Sequence, residues 1–472
     1  MKKINIAFAF LVLALAGCRN NEYDSWLTTM SMTEVSNITL NPNGQVLVAD
    51  GKCALTFVVK ATMDVKDTRT VELIVSGENV VQEMDFETNT LVKSDRLAGE
   101  SFEIKSSRGE VVENFTFSTT EGAGSEISFT CTLNDKVSAP VTVKLVAPPT
   151  PYTTDIVVPV IFHVLYGSNE VSASQTVTQK AVQAYIDHAN LVFSGEAYPN
   201  APAVMDSRIR FKAATHDPDG KPLDEPGIRR EQMSTTSASG ALSPIITAIR
   251  KGDRAMYRQY VWPQDKYLNI YVYQSYSHYA IPPVAIMNGY TFPGTGEPFP
   301  GFNTTDVANT LLTTMKFADS IDDYFATNPD DAATSLWVGG LYAFGPMIYL
   351  RDFNEINKPG WTGSYTFETL LGVHYGLMRT ACNTAALRNR YAAYGDIDWC
   401  PDTYTYISWD MGVEKKTYVP ADLTESVEPI YFNSYNAIDS QTTSVALTPD
   451  QIKRIRYCIE ACADRRAGWP GN

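Results

Sequence analysis

Hydrophobic residues change their spacing several times along this chain. Lys2 and Lys3 precede an apolar run, Ile4 to Ala16, shorter than the roughly 20 residues a membrane-spanning helix needs. Between residues 35 and 147 the period is two. Cys53, Leu55, Phe57 and Val59 alternate with their neighbours, as do Ile127, Phe129, Cys131 and Leu133, and again Val141, Val143 and Leu145. Many short strands of this kind predict an antiparallel β-sandwich with one face of each sheet inward. Ala147-Pro148-Pro149-Thr150-Pro151 then forms a stiff boundary. Beyond it the pattern is mixed. Ile156 to Tyr166 is a strongly apolar strand, and Thr176 to Phe193 carries Val177, Ala181, Val182, Tyr185, Ala189 and Val192 at helical spacing. Ile209 to Ala213, Tyr267 to Tyr273 and Trp337 to Leu350 read as further strands, and Thr366 to Thr380 as a helix. The polar stretch 300 to 335 reads as an insertion or a surface helix. Thr448-Pro449 opens a final helix with Ile452, Ile455 and Ile459 inward, since threonine caps well and proline suits the first helical position.

The expected organisation is a signal peptide (1–17), a polar tether (18–34), a β-sandwich (35–147) and an α/β region (152–472). Leu15-Ala16-Gly17-Cys18 closes the first apolar run with small residues and a cysteine. That pattern predicts a lipoprotein, cut before Cys18 and acylated there, so its first partner is a lipid membrane. An outer-membrane or cell-surface location follows from that expectation. A net charge of −15, with no basic patch to displace counterions from phosphates, argues against a nucleic-acid partner. Six cysteines remain besides Cys18, and export makes disulfides permissible. Cys53 and Cys131 share the inward phase of their strands, so a bridge between them is expected, with two buried free thiols as the alternative. Cys382–Cys400 is expected to tie down an acidic loop around Asp396, Asp398 and Asp402. Cys458 and Cys462, one helical turn apart, stay unassigned. No Cys-x-x-Cys pair and no Gly-x-Ser-x-Gly elbow occurs, which removes a cysteine zinc site and a serine hydrolase of that type.

Several short motifs recur in a known order. They are Pro159 to Tyr166 (PVIFHVLY), Asp217-Pro218-Asp219-Gly220, Pro226-Gly227-Ile228-Arg229 and Tyr267-Leu268-Asn269-Ile270. Asp398-Trp399-Cys400-Pro401-Asp402-Thr403 and Leu447-Thr448-Pro449-Asp450-Gln451 follow, running into Arg454-Ile455-Arg456. Over residues 152 to 470 the chain resembles the metzincin zinc metalloproteases, in particular the pappalysin-like bacterial lipoproteins. The expected protein is multidomain: the all-β sandwich read from the alternation, taken as immunoglobulin-like, followed by the α/β (α+β) metalloprotease-like domain that the resemblance implies. In that family a helix carries H-E-x-x-H-x-x-G-x-x-H, three zinc ligands and a general base. Gly372, Gly376 and Leu377 set the register. It places Thr369, Val373 and Arg379 at the ligand positions and Leu370 at the base position, so all four functional residues are absent.

No other register restores the site, because His374 would need a second histidine at Leu370 or Met378. His374 therefore reads as a packed or surface histidine. Glu368, six residues earlier, points to a different side of the helix. Arg379 adds a fixed positive charge where a dication would sit. Asn436-Ala437-Ile438-Asp439-Ser440 resembles the family's methionine turn with Ile438 in place of methionine. Relatives hold calcium near the acidic loop, so Asp396, Asp398 and Asp402 are calcium candidates beside a merely solvated loop; no other cofactor is expected. In metzincins substrate lies along an edge strand, which makes Gly339, Gly340, Leu341, Tyr342 and Ala343 candidate peptide contacts. The expectation is an inactive homologue binding a peptide or protein. The alternative is an active metallopeptidase or other hydrolase with an atypical site.

Overall fold

The structure is a computed structural model describing residues 35–75, 78–91, 101–250, 253–274, 280, 344–355, 366–377, 381–382, 400, 402–403, 406–407, 416–418, 425–427, 446–461 and 465–470. Cys18, Gly339 to Ala343, Arg379, Asp396, Asp398, Ile438, Cys462 and the Cys382 side chain lie outside the described residues, as do the expectations that rest on them.

The first nine strands are β1 (Val35–Pro42), β2 (Val46–Val48), β3 (Leu55–Val75), β4 (Glu78–Leu91), β5 (Phe102–Ser106), β6 (Thr116–Phe117), β7 (Glu126–Leu133), β8 (Lys136–Val137) and β9 (Val141–Val146). They make two sheets, β1-β3-β4 with β6 on β3, and β2-β9-β7-β5 with β8 on β7. The alternation seen in the sequence is the burial pattern: every second residue of β7, from Ile127 to Leu133, is buried. The inner faces share one core in which Phe129 meets Phe57 at 4.8 Å and Phe117 at 4.9 Å between ring centroids. Burying each such ring contributes roughly 1.5–3 kcal/mol.

Two expectations need correction. β2 runs parallel to β9, so the sheets are not wholly antiparallel. Cys53 and Cys131 are buried free thiols, not a disulfide. Cys53 lies before the β3 ladder, in a turn where the Asp50 carboxylate accepts the backbone N–H groups of Lys52 and Cys53. Its sulfur faces Asp50 and the Val204 carbonyl, whereas Cys131 sits within β7 opposite Ile104. Burial pushes both thiols up, Cys53 to about 11 and Cys131 to about 12.

A downstream loop completes this core. The Val48 N–H donates to Pro202 O at 2.8 Å, the Ala54 N–H to Asn200 O at 3.3 Å, and Asn43 Nδ2 to the Tyr198 hydroxyl at 2.9 Å. Ala201 and Ala203 are buried between the sheets, with Ala446.

Past the prolines, β10 (Ile156–Tyr166) is central to an all-parallel sheet. Its first half pairs with β11 (Ile209–Ala213) and its second half with β12 (Ile228–Gln232). On the other side lie β13 (Leu268–Tyr273) and then β14 (Met347–Tyr349). Helices cover both faces, which is why β10 and β13 read as apolar runs without alternation. After a short α1 (Val171–Ser174), α2 (Gln179–Ser194) packs on one face. It is capped by Thr178, whose hydroxyl accepts the Ala181 N–H, and ended by left-handed Gly195. α3 (Ala238–Arg250) and α4 (Arg254–Tyr260) cover the opposite face. α5 (Phe367–His374) and α6 (Pro449–Ala461) join α2. α3, α4 and β12 were not legible in the spacing. Glu170, from the other end of the β10 crossover, starts α3 by accepting the Ala238 N–H. Among the described residues no helix is long and apolar enough to cross a membrane.

Candidate functional site

α5 carries the residues that the resemblance singled out. The Thr366 hydroxyl caps it by accepting the Thr369 N–H at 3.2 Å, and Glu368 adds an acid to the first turn. Both favour a helix start. The helix is shorter than the expected stretch to Thr380, because Gly376 adopts φ +85°. The Leu377 N–H returns to Gly372 O and the Gly376 N–H to Val373 O, a paired closure that ends the helix at a left-handed residue. The helix thus ends in a glycine bend at Gly376.

Thr369 is buried with its hydroxyl 3.0 Å from that of Thr366. Leu370 is wholly buried in the core around Phe162 and Tyr185, and Val373 packs against the same core. A hydroxyl and two hydrocarbons do not fit a zinc ion, which takes imidazole, thiolate or carboxylate, and Leu370 accepts no proton. The described residues contain no group of three or more His, Cys, Asp or Glu placed to hold a metal.

Charged side chains hold α5 in place instead. Glu368 Oε1 lies 2.8 Å from His188 Nδ1 on α2, and that hydrogen bond raises the histidine pKa above its ordinary value. At the other end, Arg465 Nε donates to His374 O at 2.9 Å and Arg454 Nε to Gly376 O at 2.6 Å. Both arginines are almost wholly buried. They satisfy carbonyls that a helix end leaves unpaired and place positive charge at its negative pole. His374 is a packed histidine, held neutral by burial and by Arg465.

Asp402 is buried rather than solvated. Its two oxygens accept the Thr448 hydroxyl at 2.6 Å and the Asp450 N–H at 2.9 Å, so the groups it would offer a cation already hold the start of α6. Thr448 and Gln451 form a reciprocal capping box beneath it. Burial, reinforced by the Asp450 carboxylate, pushes the Asp402 pKa upward. His163, from the β10 motif, is equally structural. It stacks on Tyr271, lies 2.8 Å from Asn269 Oδ1, and burial with Arg229 nearby lowers it to about 3.

β14 ends the parallel sheet among the described residues, and only its last residues, Met347–Tyr349, represent the expected strand to Leu350. Leu350–Asp352 turns away as a 3₁₀ segment. Sequence reasoning missed His188, Arg454 and Arg465. A signal existed for Arg454 alone: it lies on the inward stripe of α6 with Gln451, Ile455 and Cys458.

No protein-family model matches the sequence, and no curated protein matches it. Solved structures that are similar to this chain include three of mirolysin or its precursor. Mature mirolysin of Tannerella forsythia in complex with a cleaved peptide shares 17% identity over 67% of this chain and 97% of that one, with a TM-score of 0.38. Mirolysin in complex with compound 9 gives 17%, 68%, 97% and 0.36. A mutant of Tannerella forsythia promirolysin gives 16%, 67%, 85% and 0.37. Mirolysin is a metzincin-type metalloprotease.

Proposed function

We propose that this chain is a membrane-anchored pseudoprotease, a pappalysin-like metzincin scaffold of the lipoprotein type that binds a peptide or protein without cleaving it. The observation that carries the reading is α5 itself. Its cap, its glycine-ended turn and its arginine clamps are intact, while Thr369, Leu370 and Val373 offer neither ligands nor a base. Acylated Cys18 would hold the protein at the outer membrane or cell surface. Peptide would add to the side of β14 that no described strand pairs with, since backbone pairing needs no zinc. The test is metal analysis of the purified protein beside a peptidase assay, with neither stoichiometric zinc nor cleavage expected. Changing Thr369→His, Leu370→Glu, Val373→His and Arg379→His together should create zinc affinity if the register is right, even if turnover stays poor. Zinc bound through α5 in the unmodified protein, with peptide cleavage, would overturn the reading.

A further inference from the structure

Two side chains one turn apart on α2 tie down separate parts of the molecule. The Tyr185 hydroxyl donates to the carbonyl of Phe353, just past β14 and its 3₁₀ turn. His188 reaches Glu368 on α5 at 2.8 Å. The two partners of that second contact live in different surroundings. Glu368 is 2% exposed and the His188 side chain 40%, so a carboxylate sealed in the core is bonded to a ring that meets bulk water. A buried carboxylate is costly unless it is paired. An imidazolium supplies both a charge and a hydrogen bond, whereas the neutral ring supplies the hydrogen bond alone.

We propose that His188 and Glu368 form a proton-loaded latch: the proton on His188 clamps α5 to α2, and its departure on the alkaline side loosens α5 together with the Gly376 turn. Around the pair, the bond and charge of Glu368 raise His188 while burial opposes them. Glu368 faces His188 from α5, and Glu368 and Glu355 both act on Tyr185 of the same helix. On the β11 side, Arg210 is engaged by Asp206 at 2.7 Å. Glu368 favours the protonated ring, and its hydrogen bond is the largest cause of the upward shift of His188. A histidine raised in the folded state contributes stability that is complete below the unfolded value of about 6.5. That contribution is lost as pH rises through the folded value. The device requires neither a metal nor a peptide, so it stands apart from the pseudoprotease reading.

The experiment follows the five histidines of the full chain by NMR with ring-labelled histidine, His188 being assigned by its loss in His188→Asn. His188 should titrate above about 6.5 and return to that value in Glu368→Gln. In parallel, hydrogen exchange of the amides from Leu370 to Leu377 is compared at about pH 5.5 and about pH 8.5 after correction for intrinsic rates. The opening constant should grow by about tenfold for each unit by which the histidine is raised, and it should be flat in His188→Asn. Should Glu368→Gln fail to fold, the His188→Asn exchange profile decides. A His188 titrating at or below the ordinary value, or a pH slope that survives in His188→Asn, overturns the latch.

Discussion

Among the described residues of the N-terminal region the buried polar side chains are Asn43, Thr62, Ser106 and Ser138, all neutral, whereas the α/β region buries His163, Glu170, Glu368, His374, Asp402, Arg454, Arg456 and Arg465. The difference follows from how the two kinds of element close their backbones. Interior strands of a sheet pair N–H with C=O across the ladder, so the faces brought together are hydrocarbon. A helix leaves four donors and four acceptors unpaired at its ends. When those ends are buried, side chains must satisfy them. Glu170 serves the start of α3, Asp402 the start of α6, and Arg454 and Arg465 the end of α5. Arg456 reaches the carbonyls of Ser207 and Thr154 and lies 4.0 Å over the Tyr152 ring. The α/β core is thus held by charges at helix ends.

The comparison can be broken most directly by one deletion in each region. Phe129→Ala should cost about 3–5 kcal/mol through the cavity left between the sheets, with little dependence on pH. Arg465→Met should cost a similar amount or slightly less, about 3 kcal/mol, because it strips a carbonyl of its buried donor. Denaturant unfolding measures both, and hydrogen exchange locates them. The first should act on residues 35–147 and the second on residues 366–377. An Arg465→Met protein of unchanged stability would show that the buried cations are dispensable.

Gly376→Ala should cost less, on the order of 1–2 kcal/mol, since φ +85° is strained for any residue with a Cβ. A neutral outcome in thermal unfolding would mean that the turn relaxes. The smallest effect is expected for Asp402→Asn, and it concerns slope more than size. The folded Asp402 pKa is raised, first by burial and then by Asp450. Its contribution is therefore greatest below the unfolded value near 3.8 and is lost as pH rises through the folded one. Asparagine should flatten that decline in a series of unfolding curves from acid to neutral pH. An unchanged slope would assign the decline to other groups.

Much of this architecture was legible. β10 falls on Ile156–Tyr166 as its apolar run predicts, and α6 buries Ile452, Ile455 and Ile459 as its spacing predicts. Thr448 begins a helix as its pairing with Pro449 predicts, whereas the stop at Gly376 falls short of the stretch expected to reach Thr380. What stayed hidden involves partners far apart in the chain. His188 and Glu368 are separated by 180 positions, and His374 and Arg465 by 91. Cys53 and Cys131 share an inward phase, yet phase says which face a residue occupies and nothing about its height along the sheet or its neighbour. The bridge inferred from phase does not form, and Val204 takes the place beside Cys53.

The sequence by itself determined where β10 and α6 lie and which faces of β7 and α6 turn inward, because side-chain period is a local property. It also determined that Thr369, Leu370 and Val373 cannot supply zinc chemistry, since donor type is written in the residue. Only the tertiary structure decided that a loop at Tyr198–Val204 closes the N-terminal core, that Asp402 caps a helix, and that buried arginines and a half-exposed histidine hold α5 in place. Those contacts depend on which surfaces meet after folding, and a buried charge is stable only beside the partner that meeting provides.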